Sequence, residues 1–224
     1  MAGWLLRSII GTIVYGSIIF LPAGTFNWLW GWVMLGILVA VMIVQPLMLM
    51  RINPAVLIER EKSFWTQGVK RWDKWITTIA GGLMPQPWII AGLDVRFQWT
   101  ASMQLTVHIG GLIFVVIGHA LFLWAMAANA FFSQGARIQS ERNQQLVDSG
   151  PYRFVRHPGY AGVILYSIAT PILLGSMWAL IPGILSAILF GVRTRLEDKM
   201  LMTELPSYTE FAQRTSFRLL PGVW

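Results

Sequence analysis

Cysteine is absent from this chain, which excludes a disulfide framework, a thiol nucleophile and an iron–sulfur site. Charge is scarce too: only 12% of the 224 residues are charged, against about 25% in an ordinary soluble domain. There is no Cys–His set, no H-E-x-x-H helix, no Walker loop and no G-x-S-x-G elbow, so no metal is expected. The net charge of +7 comes without any aromatic-interleaved basic repeat, which argues against nucleic acid as a partner. Low-complexity linkers and internal repeats are also missing, and nothing marks off a second independent domain.

What the chain has instead is apolar length. It is 55% hydrophobic, and the apolar residues lie in long runs that define a polytopic all-α membrane helix bundle. Six segments are predicted, at 4–21, 27–50, 72–93, 103–128, 160–174 and 177–192. Residues 1–128 hold the first four, and 129–224 hold the motif region with the last hairpin and tail, as one integral unit. The N-terminal run carries Arg7 but no small-x-small cleavage site, so it reads as a retained span. The third segment is interrupted by Gly81-Gly82 and Pro85-Gln86-Pro87, which predicts a kink or two half-helices.

Basic residues orient the bundle. Arg51, Arg60, Lys62, Lys70, Arg71 and Lys74 fall between the second and third segments. Arg137, Arg142, Arg153 and Arg156 fall between the fourth and fifth. Arg193, Arg195, Lys199, Arg214 and Arg218 follow the sixth, and Arg7 opens the first. Of 17 basic residues only Arg96 lies on the other side, so both termini are expected in the cytoplasm, with anionic membrane lipids as partners. Trp28, Trp30, Trp32, Trp65, Trp72, Trp75, Trp88, Trp99 and Trp178 fall near span ends and read as an interfacial belt.

One polar island stands out. Residues 150–162 read Gly-Pro-Tyr-Arg-Phe-Val-Arg-His-Pro-Gly-Tyr-Ala-Gly, a donor-rich stretch broken by glycine and proline that suits a loop around an anionic or polar ligand. Pro158 suits a first helical turn, and it pushes His157 out of the α region at the mouth of the fifth span. In the tail, Arg193 and Glu197 lie one turn apart if the last helix continues past the membrane surface. Asp198 and Lys199 read as ordinary interfacial residues. His108 and His119 share nearly one face of the fourth span, but about 16 Å apart along the axis they are too distant for one metal. Gly81-Gly82 and Gly110-Gly111 read as sites of close helix packing.

The island resembles the G-P-Y-R-x-x-R-H-P-x-Y-x-G signature of the isoprenylcysteine carboxyl methyltransferase and phospholipid methyltransferase superfamily. Glu197-Asp198-Lys199-Met200-Leu201 is similar to its second signature, E-E-x-x-L, with Asp in place of the second Glu. Asn129-x-Phe131-Phe132, Arg137-Ile138-Gln139, Tyr208, Phe211, Arg214 and Leu220-Pro221-Gly222 resemble the lead-in and closing patterns, so the likeness covers about 129–224. The resemblance implies methyl transfer from S-adenosyl-L-methionine to a lipophilic or small acceptor: an isoprenylcysteine carboxylate, a phospholipid amine or a thiol. It places the chain in a bacterial inner membrane or a eukaryotic endomembrane, with the site at the cytosolic face. It implies a cofactor pocket formed by the loop before the last hairpin and closed by the acidic helix end. Gln144, Gln145, Leu146 and Val147 would line the cofactor with backbone groups. Tyr152 and the turn His157-Pro158-Gly159-Tyr160 would hold its amino-acid and adenosyl parts, and Glu197 a hydroxyl or ammonium. Arg193 would be the catalytic residue facing the acceptor, with Arg137 in the same cavity. Membrane sterol or fatty-chain reductases using NADPH share a similar R-H-P-x-Y turn and are the rival enzyme class; a small-ligand transporter is the non-enzymatic one.

Overall fold

A computed structural model describes residues 2–61, 63 and 65–224, the side chains of 2–7 and 61 excepted, so the side chain of Arg7 and all of Lys62 lie outside the described residues. Among the described residues the regular structure is entirely helical. The long elements are α1 (Ala2–Ala23), α2 (Leu29–Ile52), α6 (Leu105–Ala128), α7 (Pro158–Leu174) and α8 (Leu180–Glu204). Shorter helices are α3 (Pro54–Glu61), α4 (Arg71–Leu83), α5 (Gln86–Phe97) and α9 (Tyr208–Arg214).

The third apolar segment is two half-helices. α4 ends at Leu83 and α5 begins at Gln86, because Pro85 and Pro87 lack the N–H groups that a continuous ladder needs. Pro158 takes the first position of α7, with His157 as a non-helical N-cap at φ −126° and ψ 59°. α7 ends at Gly175, whose φ of +77° supplies the left-handed C-cap. α8 runs unbroken for 25 residues and carries Arg193, Glu197 and Asp198 past its apolar half. α3 was not foreseen in the sequence; Pro54 opens it immediately after α2.

α6 and α7 lie in close backbone contact. A Cβ on Gly118 would come within 2.8 Å of the Gly162 carbonyl, and one on Gly162 within 2.5 Å of the Gly118 carbonyl. Gly111 packs the same way on the backbone of Leu173. Absent side chains let the two helices approach this closely. The packing reading holds for Gly111 but not for Gly81, Gly82 or Gly110, beside which a Cβ would meet nothing within 4 Å. A glycine permits close approach, but a neighbour must be there to use it.

α2 and α6, each 24 residues long with mean hydropathy of 2.5 and 2.2, are long and apolar enough to cross a membrane. Ser8–Ala23 and Pro158–Leu174 are apolar but shorter. Outward side chains on α6, including Ile109, Ile113, Phe114, Val116 and Ile117, are roughly half exposed, a surface that suits lipid. The tryptophan belt needs one correction. Trp32, Trp65, Trp75, Trp99 and Trp178 are exposed, but Trp28 is buried in the core and Trp30 stacks on His108 at 4.5 Å. His108 itself is buried, with Nδ1 2.8 Å from the Leu173 carbonyl, and so ties α6 to the end of α7.

Candidate functional site

At the His157 end of α7 the chain builds a polar knot around Asp198. Arg156 grips that carboxylate with Nε and Nη2 at 2.8 and 3.1 Å, and its Nη1 donates to the carbonyls of Thr215 and Ser216. Arg218 Nε donates to the second oxygen at 2.8 Å, and the Tyr208 hydroxyl to the first at 2.8 Å. His157 Nε2 lies 3.2 Å from both Asp198 Oδ1 and the Tyr208 oxygen. The backbone completes the knot, as the N–H groups of Arg156 and His157 donate to the carbonyls of Phe217 and Arg218. Asp198 is thus a buried hub, not the interfacial residue the sequence suggests. Its role depends on a returning tail that leaves no local signature.

These contacts set the ionisation of the hub. Burial pushes the Asp198 carboxyl up, but hydrogen bonds from His157, Arg156 and Arg218 outweigh it and hold the group well below the usual carboxylate range. Burial pushes the Tyr208 hydroxyl up, and the neighbouring Asp198 charge pushes it further the same way, so it stays a donor. Tyr152 is likewise raised by burial; its oxygen accepts from Asn129 Nδ2 at 3.1 Å.

A second clamp joins α4 to α8. Arg193 donates from Nε and Nη2 to Asp73 at 2.7 and 3.0 Å, and from Nη2 to the Gln134 carbonyl at 2.8 Å. Asp73, fully buried, also accepts from the Ala136 N–H at 2.6 Å. The guanidinium lies 5.1 Å from the Tyr160 ring centroid. Its fork is therefore taken by Asp73, a residue that the sequence reading passed over, and not left open for an acceptor. Arg137 is committed as well, with Nη2 2.7 Å from Glu59 and 2.7 Å from Glu141.

Between the knot and the clamp lies a cavity of about 340 Å³. Its wall includes Gln144, Gln145, Leu146, Val147, Tyr152, His157, Gly159, Tyr160 and Glu197, together with Arg137 and Arg193. Pro158, the remaining candidate, is buried in the first turn of α7 and does not line it. The Tyr160 hydroxyl donates to Glu197. Gln139 is buried and organises the incoming strand of coil: its amide donates to Phe131, its backbone N–H to Gln144 Oε1. Among the described residues no hydrogen bond engages the backbone of Gln145, Leu146 or Val147. The wall also has an apolar stretch, with Phe122, Phe132, Val163 and Phe190. Sequence reasoning missed Arg60, Gln134, Asn129 and Phe190 as wall residues; α3, which brings Arg60, is too short to announce itself by periodicity.

Residues 111–203 match the Isoprenylcysteine carboxyl methyltransferase (ICMT) family. A probable protein-S-isoprenylcysteine O-methyltransferase of Oryza sativa subsp. indica is 35% identical over 65 residues, covering 29% of this chain and 34% of that protein. Protein-S-isoprenylcysteine O-methyltransferase B of Arabidopsis thaliana is 29% identical over 107 residues, covering 46% of this chain and 54% of that protein. The matched part thus spans about a third to a half of the length of these curated relatives. The solved structure of the eukaryotic intramembrane Ras methyltransferase ICMT superposes with a TM-score of 0.51 at 22% identity, over 80% of this chain and 64% of that one, a likeness of fold.

Proposed function

We propose, from the match of residues 111–203 to the isoprenylcysteine carboxyl methyltransferase family, that the cavity binds S-adenosyl-L-methionine and serves methyl transfer to a lipophilic acceptor. The observation that carries the reading is one cavity with two kinds of wall: free backbone groups and Glu197 on one part, aromatic and aliphatic side chains on another. The donor set fits the cofactor. Glu197 suits an ammonium or a ribose diol, the backbone of Gln145–Val147 suits an adenine edge, and the faces of Tyr160 and Tyr152 suit a sulfonium. When bound, the cofactor supplies an electrophilic methyl group. The chain's part is placement: His157 and Tyr160 are locked by Asp198 and Glu197, and rigid walls hold an acceptor in line.

Six crossings with both termini cytoplasmic remain our topology, supported by the placement of basic residues and by the two long apolar helices. The cavity then opens at the cytosolic face, where a water-borne cofactor and a membrane-borne acceptor meet. Calorimetry on detergent-purified protein tests the reading. Adenosylhomocysteine should bind and a reduced nicotinamide should not. Glu197→Gln should weaken the first by about tenfold, the worth of one charge-assisted hydrogen bond. Heat from the nicotinamide alone would assign the cavity to a reductase instead.

A further inference from the structure

The two faces of α8 differ in character. On the inner face Gly183, Ser186, Arg193, Thr194 and Asp198 are buried, and Glu197 turns to the cavity. The outer face is exposed and divided in order along the chain. Ile181, Ile184, Leu185, Ile188 and Val192 come first, then Arg195 and Lys199. At 3.6 residues per turn all of these fall on one stripe about 100° wide. An outward apolar stripe on a membrane helix faces hydrocarbon, and the first cations along it mark the depth of the headgroups. Arg195 and Lys199 stand one turn apart, a spacing at which like charges repel. The carboxylates of α8 do not offset them: Glu197 accepts from Tyr160, Asp198 is held by Arg156 and Arg218, and Glu204 pairs with Lys70. Among the described residues the side chains of Arg195 and Lys199 have no hydrogen-bond or ion-pair partner.

We propose that Arg195 and Lys199 form a binding site for the phosphate of an anionic phospholipid whose acyl chains lie along Val192, Ile188 and the apolar residues before them. An anion set between the two cations turns their repulsion into attraction on both sides. The guanidinium offers a planar fork to two phosphate oxygens, and the ammonium, one turn on, offers a mobile point charge to the same group. The occupant is a lipid and not a soluble anion, because the cations continue an exposed apolar stripe that only hydrocarbon satisfies. Neither residue lines the cavity, so this lipid is distinct from any methyl acceptor. Its effect is to fix the depth of α8. With a headgroup gripped at Arg195 and Lys199, Arg193 and Glu197 on the inner face are held at the level of the membrane surface.

Detergent-purified full chain is offered equal amounts of dioleoyl phosphatidylglycerol and dioleoyl phosphatidylcholine, and native mass spectrometry identifies the first lipid bound. Wild type should favour phosphatidylglycerol by about thirtyfold, the effect of two cations near a headgroup. Arg195→Gln and Lys199→Gln should each lower that preference by about fivefold, and the double variant should bring it close to parity. Both side chains are exposed and unbonded, so the variants should fold with the melting temperature of wild type. Arg71→Gln, which removes an exposed charge from the start of α4, should leave the preference within about twofold. A loss for Arg71→Gln as large as that for Arg195→Gln would reduce the effect to diffuse surface charge and overturn the proposal. So would a wild type without preference, or a double variant that keeps it. Glycerophosphoglycerol, the headgroup without its chains, should not displace the lipid at equal concentration; displacement would make this a site for a soluble phosphate ester and overturn the assignment to lipid.

Discussion

Asp94 and Asp198 are buried toward opposite ends of the helix bundle, and the two are satisfied in opposite ways. Asp94, at the end of α5, accepts from the backbone N–H and hydroxyl of Thr100 and from the Ser176 hydroxyl, all neutral donors. Asp198, at the other end, takes two arginines, a histidine and a tyrosine. The first arrangement is a clasp: Ser176 also accepts from the Ala179 N–H, so the turn between α7 and α8 is pinned to α5 and the task ends there. The second carries more positive charge than its single carboxylate cancels. Of its two arginines, Arg156 lines the cavity. Fixing helix ends needs only hydrogen bonds from neutral donors; the knot around Asp198 adds charge.

The comparison can be broken most sharply at Asp198. Asp198→Asn should destabilise the detergent-purified protein by about 3–5 kcal/mol, because it leaves the buried Arg156 and the partly exposed Arg218 without their counter-charge. Denaturant unfolding measures the loss, and a cost below about 1 kcal/mol would show that water, not the carboxylate, satisfies them. Acid should reach the same interaction more gradually. The folded-state group is held below its ordinary value, so its contribution is complete above about pH 4, where the unfolded carboxyl is ionised, and drains away as pH falls toward the folded value. Melting curves from pH 6 to pH 3 should slope for wild type below about pH 4 and be flatter for Asp198→Asn. Asp94→Asn should cost less, about 1–3 kcal/mol, since one misplaced amide N–H faces neutral donors and no cation is stranded. Were it to match Asp198→Asn, the contrast between clasp and imbalance would be lost. The smallest effect should come from Lys70 and Glu204, a partly exposed pair at 2.7 Å on the cavity side; Glu204→Gln should change stability by about 0–1 kcal/mol, less at high salt.

The same two ends show what was legible in the sequence. The break between α4 and α5 could be read from Pro85 and Pro87, and the start of α7 from Pro158, because proline acts locally. The wall from Gln144 to Glu197 could be read because its residue types sit in two contiguous, recognisable runs. Partnerships across the fold could not. Arg193 finds Asp73 120 residues away, and nothing near either residue announces the other. Asp198 looks like a surface acid in an α8 that continues into water; only the returning tail buries it. Arg60 reads as one more cytoplasmic charge, since an eight-residue α3 shows too little periodicity to fix a face. Glycine misled at Gly81, Gly82 and Gly110, where the sequence shows tolerance of contact but not whether contact occurs.

The tail's grip on the start of α7 also orders events during biosynthesis. The carbonyls of Thr215, Ser216, Phe217 and Arg218 hold Arg156 and His157, and the Arg218 side chain completes the cage around Asp198. A ribosome delivers these residues after every helix from α1 to α8 has been made. The cage around Asp198 can therefore close only after α8 and the tail beyond it have both been made. A nascent chain stopped short of residue 215 would lack the carbonyls and the Arg218 side chain that complete this cage.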